Sequence, residues 1–116
     1  MPTHQEIGGM SDEHLLQRMV TSYAGRFAEP FWDFLAAEVM PRVPSRPVVM
    51  DLGCGPGLFL QDVAQRYTPA ALYGYDVTPA MIQHAQQLTY RAVTPTLALH
   101  DLTAQALPVA AGSVHL

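Results

Sequence analysis

Val48-Val49-Met50-Asp51-Leu52-Gly53-Cys54-Gly55-Pro56-Gly57-Leu58-Phe59-Leu60 decides the fold of this 116-residue chain. Apolar residues run up to a carboxylate. Three glycines follow at alternate positions, and then a helix-compatible apolar run begins. The pattern reads as a buried strand, a tight glycine loop and a helix start. So sharp a turn is expected to leave backbone N–H groups pointing into a crevice. In open α/β sheets ligands sit in that crevice, at the carboxyl ends of the strands.

Downstream the pattern repeats. Leu58 to Tyr67 reads as a helix, Ala71 to Asp76 as a second strand and Pro79 to about Arg91 as a second helix. Thr96 to Asp101 reads as a third strand, and Ser113 to Leu116 as the opening of a fourth. Alternating strands and helices imply a parallel sheet with right-handed crossovers. Asp51, Asp76 and Asp101 recur every 25 residues, each at or near the end of a strand. Three carboxylates are thereby expected on one rim.

Upstream, 1–10 reads as a loose arm. Ser11-Asp12-Glu13 is a helix start: a capping hydroxyl, then acids suited to the positive end of the dipole. Leu15, Leu16, Met19, Val20 and Tyr23 follow at helical spacing, and Gly25 suits the helix end. A second helix is expected from Pro30 to Val39, with Trp32 and the phenylalanines as packing residues. The proline-rich stretch from Pro41 to Pro47 separates a helical cap, 11–46, from an α/β core, 47–116.

Composition narrows the function. The chain suffices for one domain. A net charge of −4 supplies no basic footprint for nucleic acid or an anionic membrane. No apolar run is long enough to span a bilayer, and the start of the chain lacks a signal-peptide pattern. The single cysteine, Cys54, excludes an internal disulfide and a cysteine-based zinc cluster, and favours the cytoplasm. His4, His14, His84, His100 and His115 lack metal-ligand spacing, and His84 reads as an exposed helix residue.

The rim suggests a ligand. Gly53 and Gly55 fit a dinucleotide G-x-G-x-x-G, but Leu58 stands where its third glycine belongs. Asp51 would oppose a pyrophosphate and favour an ammonium group. Asp76 suits a ribose diol, since charge-assisted hydrogen bonds are strong, and Asp101 an exocyclic amine. An adenosine joined to a zwitterionic amino-acid tail has this shape, as S-adenosylmethionine (SAM) does.

Asp51–Gly57 resembles the first motif of class I SAM-dependent methyltransferases. Tyr73–Ile82 resembles their second motif, and His100-Asp101-Leu102 with Leu107-Pro108 their third. The resemblance implies a Rossmann-like parallel sheet, strand order 3-2-1 with a fourth strand beginning, flanked by helices. This would be an incomplete form of a seven-stranded fold, as if the chain were the truncated cofactor-binding part of a longer enzyme and inactive alone. His115 departs from the acidic residue usual at that point.

It also implies roles. Gly53, Cys54, Gly55 and Gly57 would lie against the methionine part of the cofactor. Asp51 would help hold its amino group, and Tyr23 would close over its carboxylate. Asp76 would take both ribose hydroxyls. Val77 and Met81 would sandwich the adenine, Asp101 would take its amino group, and the Leu102 N–H would meet a ring nitrogen. No catalytic base and no metal site stand out. The reading is methyl transfer to a small-molecule acceptor. The alternatives are a non-catalytic module binding SAM or S-adenosylhomocysteine, and a nucleotide-dependent oxidoreductase. An uncovered fourth-strand edge would favour a homodimer.

Overall fold

A computed structural model describes residues 10–116. The arm expected over 1–10 lies outside them but for Met10, as does His4. Helix α1 spans Asp12–Arg26, and Ser11 Oγ accepts from the His14 N–H at 3.1 Å, as its capping role requires. Gly25 does not end this helix. The backbone passes through it, and the Phe27 N–H makes the last bond, to the Tyr23 carbonyl.

Helix α2 spans Glu29–Phe34, with Pro30 in its first turn. The expected α-helix does not reach Val39. Leu35–Val39 widens into a π-helical turn, and Met40–Arg42 tightens into a 3-10 turn. Pro41 has no N–H to donate, so the α ladder cannot run through it. Trp32 is 2 % exposed, stacks on Phe59 and donates from Nε1 to the Phe27 carbonyl at 3.1 Å. The Arg66 guanidinium covers its ring at 4.3 Å. Phe34, against expectation, faces outward.

Strands β1 (Val48–Leu52), β2 (Ala71–Asp76) and β3 (Thr96–Leu99) pair in parallel, with β2 central. This is the order 3-2-1. Helices α3 (Leu58–Arg66) and α4 (Pro79–Gln87) supply the crossovers. Leu60, Val63 and Ile82 pack with Val49 and Leu72, and Trp32 and Leu35 of the cap join the same cluster. Gly74 sits where this packing is tightest: a Cβ there would meet Leu97 Cδ2 at 2.7 Å and Leu60 Cδ1 at 2.8 Å. A side chain in the middle of β2 would force the helix layer off the sheet.

Three boundaries differ from the sequence pattern. Helix α4 stops at Gln87 rather than near Arg91, because the Tyr90 hydroxyl donates to the Ala85 carbonyl at 2.8 Å and closes the helix end. Strand β3 stops at Leu99; the His100 N–H makes one more bond, to the Asp76 carbonyl, and Asp101 already belongs to a turn. The fourth strand is only begun. Ser113 bonds back to Ala110 in a turn. Then Leu116 accepts from the Met50 N–H at 2.8 Å and donates to the Val48 carbonyl at 3.2 Å. That alternation is parallel pairing on the outer edge of β1. The His115 ring adds to it, Nδ1 accepting from the Val48 N–H at 2.9 Å.

Candidate functional site

The glycine loop leaves β1 with three left-handed residues in alternation: Gly53 at φ +74°, Gly55 at +55° and Gly57 at +89°. Only glycine takes that conformation without strain, which explains the G-x-G-x-G spacing. The loop curls over the end of β2 and spends its donors there. The Gly53 and Cys54 N–H groups both reach the Tyr75 carbonyl, at 2.8 and 3.0 Å. The Gly55 N–H reaches Asp76 Oδ2 at 2.9 Å, and the Gly57 N–H reaches the Cys54 carbonyl at 3.2 Å. Pro56 has none to give.

The expected row of N–H groups facing a crevice is therefore absent from 53–57. The alternating left-handed residues turn them inward. A pyrophosphate needs such donors; this loop offers none.

Acids dominate the rim instead. Asp76 is held by its own turn as well, Oδ1 accepting from the Thr78 N–H at 3.0 Å. Each carboxylate oxygen keeps a second lone pair. Burial, and then the neighbouring Asp76 charge, push the Asp51 carboxyl up from its ordinary 3.8 to about 6. A group in that state gains from a cation beside it.

A narrow cleft lies between Asp51 and α1. Asp51, Gly53, Cys54, Pro56, Leu58 and Phe59 line it together with Met19, Tyr23 and Arg26 of α1 and Phe27 just past the helix end. Tyr23 is thus on the cleft, but its hydroxyl donates to Asp62 Oδ2 at 2.6 Å, and burial and that bond push the phenol well above its ordinary value. Arg26 was not singled out in the sequence. It lies three residues beyond Tyr23, on the same helix face, and that spacing was the available signal. Its guanidinium donates to the Met19 carbonyl and to Ser22 Oγ. The first turn of α3 has no side-chain cap, so the positive end of its dipole also reaches the cleft.

A second hollow of about 240 Å³ lies past Asp76, lined by Val77, Leu99, His100, Asp101 and Gln105. Asp101 Oδ1 accepts from the Thr103 hydroxyl at 2.7 Å and its N–H at 2.9 Å, and these bonds hold its carboxyl below the ordinary range. Leu102 beside it is exposed. Nε2 of His100 is buried with no hydrogen-bond partner among the described residues.

Two expected site residues lie elsewhere, and a third, Cys54, lines the cleft with its thiol buried. Met81 is 2 % exposed and packs in the core rather than on a cleft wall. Gly57 is pressed against α4, where a Cβ would meet both Ala85 Cβ and the Tyr90 hydroxyl at 2.7 Å. The Cys54 thiol is buried under the loop. Burial, then the charges of Asp76 and Asp51, push it up to about 12, so it is no nucleophile. A roomier cavity of about 540 Å³, between the end of α4 and the start of β3, holds none of the expected residues.

His84 is also corrected. It is half-buried on α4, and its Nδ1 lies 2.7 Å from the Pro56 carbonyl.

A family model described as a methyltransferase domain matches residues 49–116. Trans-aconitate 2-methyltransferase from Streptomyces coelicolor is 42 % identical over 66 residues, which is 56 % of this chain and 21 % of that protein. Its counterpart from Delftia acidovorans is 46 % identical over 54 residues, 45 % of this chain and 20 % of that one. The chain thus spans about a fifth of the length of these curated relatives. Among solved structures, a SAM-bound amino pentose methyltransferase from Micromonospora echinaspora superposes with a TM-score of 0.57 at 25 % identity, over 80 % of this chain and 38 % of that one. The cyclase SpnF superposes with a TM-score of 0.56 at 23 % identity, over 93 % and 45 %, and shares the fold.

Proposed function

This chain belongs to the methyltransferase domain family, among the class I SAM-dependent methyltransferases, and on that premise we propose that the rim of β1 and β2 binds SAM for methyl transfer to a small-molecule acceptor. One observation carries the reading: the loop at the rim spends its own N–H groups and stands beside two carboxylates, so it suits a ligand that is cationic and rich in hydroxyls.

The residues present fit the cofactor. Asp76 keeps lone pairs for two ribose hydroxyls, Asp51 suits the amino group, and Gly53 leaves open space where a side chain would stand. Arg26 and the uncapped start of α3 supply positive potential for the carboxylate across the cleft. Val77 and Asp101 border the hollow proposed for the adenine, with Leu102 beside it. Tyr23 and Arg26 come from the cap, 11–46, and the other groups from the core, 47–116.

When bound, the cofactor supplies a methyl group already activated on a sulfonium. The protein's part is then to bind, orient and exclude water. An acidic chain without a basic patch favours a small acceptor over nucleic acid. The lone cysteine favours the cytoplasm, and no helix among the described residues is long and apolar enough to cross a membrane.

Calorimetry with SAM, S-adenosylhomocysteine and NAD tests the proposal. Binding of the first two without NAD is the expected result. NAD binding alone would replace the reading with an oxidoreductase, and cofactor binding without turnover in the whole protein would favour a binding module. A homodimer through the edge of the sheet at β1, where Leu52 is exposed, belongs to the same proposal. Sedimentation velocity is expected to show it, and a monodisperse monomer would remove it.

The state of Asp51 gives a pH signature. Its folded-state value, about 6, lies above the ordinary 3.8. Any stability it contributes is therefore present below about pH 4 and lost as the pH rises to about 6. Ligand binding has the opposite slope. An ammonium group favours the ionised form, so affinity for S-adenosylhomocysteine should rise about tenfold between about pH 5 and 7 and then level off. Asp51→Asn should flatten the profile. A wild-type profile already flat would separate Asp51 from the amino group.

A further inference from the structure

We propose that His84 is a positioning residue for the cofactor, clamping the outer half of the glycine loop to α4 through a hydrogen bond from Nδ1 to the Pro56 carbonyl. The inference rests on the cofactor-binding reading above and goes beyond it to a residue outside the three motifs.

The loop is anchored unevenly. Its first half is fixed by backbone groups of β2, since Tyr75 accepts from Gly53 and Cys54, and by Asp76, which accepts from Gly55. At Pro56 those anchors end, because proline has no N–H. Its carbonyl is the one polar backbone group it has, and His84 Nδ1 stands 2.7 Å away. A carbonyl only accepts, so Nδ1 carries the proton in this contact. The next residue along α4, Ala85, touches Gly57. Together His84 and Ala85 set where Pro56 and Gly57 lie, and with them the loop's approach to the cleft, which Pro56 also lines.

The chemistry demands a directional donor and not merely bulk. A leucine would fill the space and leave the Pro56 carbonyl without a partner. An asparagine has an amide N–H close to the position of Nδ1 and can keep the bond. Loss of the clamp frees one end of a preorganised loop, and binding must then order it again.

Two measurements test this. In the ligand-free protein, long-range proton–nitrogen NMR above about pH 8 should show His84 as the tautomer protonated at Nδ1. In calorimetry well below the melting temperature, His84→Leu should weaken S-adenosylhomocysteine about five- to tenfold, and His84→Asn should stay within about twofold of wild type. A merely structural role would lower the melting temperature and leave the affinity of the folded protein unchanged. Unchanged affinity in His84→Leu, no rescue by asparagine, or a proton on Nε2 would each overturn the proposal. If the wild-type protein does not bind S-adenosylhomocysteine, the cofactor reading falls and takes the positioning role with it, while the tautomer still reports whether the clamp exists.

Discussion

Replacing Asp76 by alanine lowers the affinity for S-adenosylhomocysteine by roughly 30- to 150-fold, about 2–3 kcal/mol, as calorimetry on wild type and variant should show. The carboxylate closes β2, where the backbone of Gly55 and of Thr78 holds both oxygens in place. Two N–H donors fix its orientation before any ligand arrives, so little ordering cost remains. The two free lone pairs would then meet a ribose diol as charge-assisted acceptors, together worth about 2–3 kcal/mol net of the water each group gives up. Alanine removes both.

A second effect opposes the first. The Asp76 charge helps raise the Asp51 carboxyl, so its loss lets Asp51 ionise at lower pH and favours the ligand's ammonium. Comparison near pH 8 removes this contribution, because Asp51 is then ionised in both proteins. Asp76→Asn, which keeps one acceptor and loses the charge, should fall between the two. Equal affinity in wild type and Asp76→Ala would take Asp76 out of the site.

The sequence showed the parts of this arrangement that depend on local pattern. Apolar runs ending in Asp51 and Asp76 gave the strands, and glycines at alternate positions marked a turn only they can make. Ser11 announced its helix because a capping hydroxyl acts on a residue three positions away. What the sequence hid depends on contacts between distant residues. Nothing local says that the loop's donors turn inward, since their acceptors lie on Tyr75 and Asp76. His84 looked like a surface residue because the Pro56 carbonyl it meets is 28 positions away. Met81 and Gly57 matched motif positions, yet the packing of α4 makes one a core residue and the other a contact point. The end of α4 was missed for the same reason, since a tyrosine hydroxyl and not a helix-breaking residue closes it.

Gly57 and Gly53 separate two uses of glycine in one loop, and their alanine variants should fail in different ways. Both residues are left-handed, at φ +89° and +74°, so a Cβ costs about 1–2 kcal/mol of backbone strain at either position. Their surroundings differ. At Gly57 the new methyl would stand 2.7 Å from Ala85 Cβ and from the Tyr90 hydroxyl, and 3.0 Å from Ala85 Cα. Helix backbone cannot withdraw, so overpacking adds about 1–3 kcal/mol. Gly57→Ala should therefore lose about 2–5 kcal/mol in urea unfolding. At Gly53 nothing lies within 4 Å, and Gly53→Ala should lose only the strain. That open space borders the cleft, however, so a methyl there stands where ligand is proposed to lie. Gly53→Ala should consequently harm S-adenosylhomocysteine affinity more than stability, and Gly57→Ala the reverse. Ala85→Gly should recover part of the loss in Gly57→Ala, because it removes the methyl that the new one strikes, and should recover nothing in Gly53→Ala. Equal losses of stability in the two single variants would mean that strain alone governs both positions and that the loop is not seated on α4.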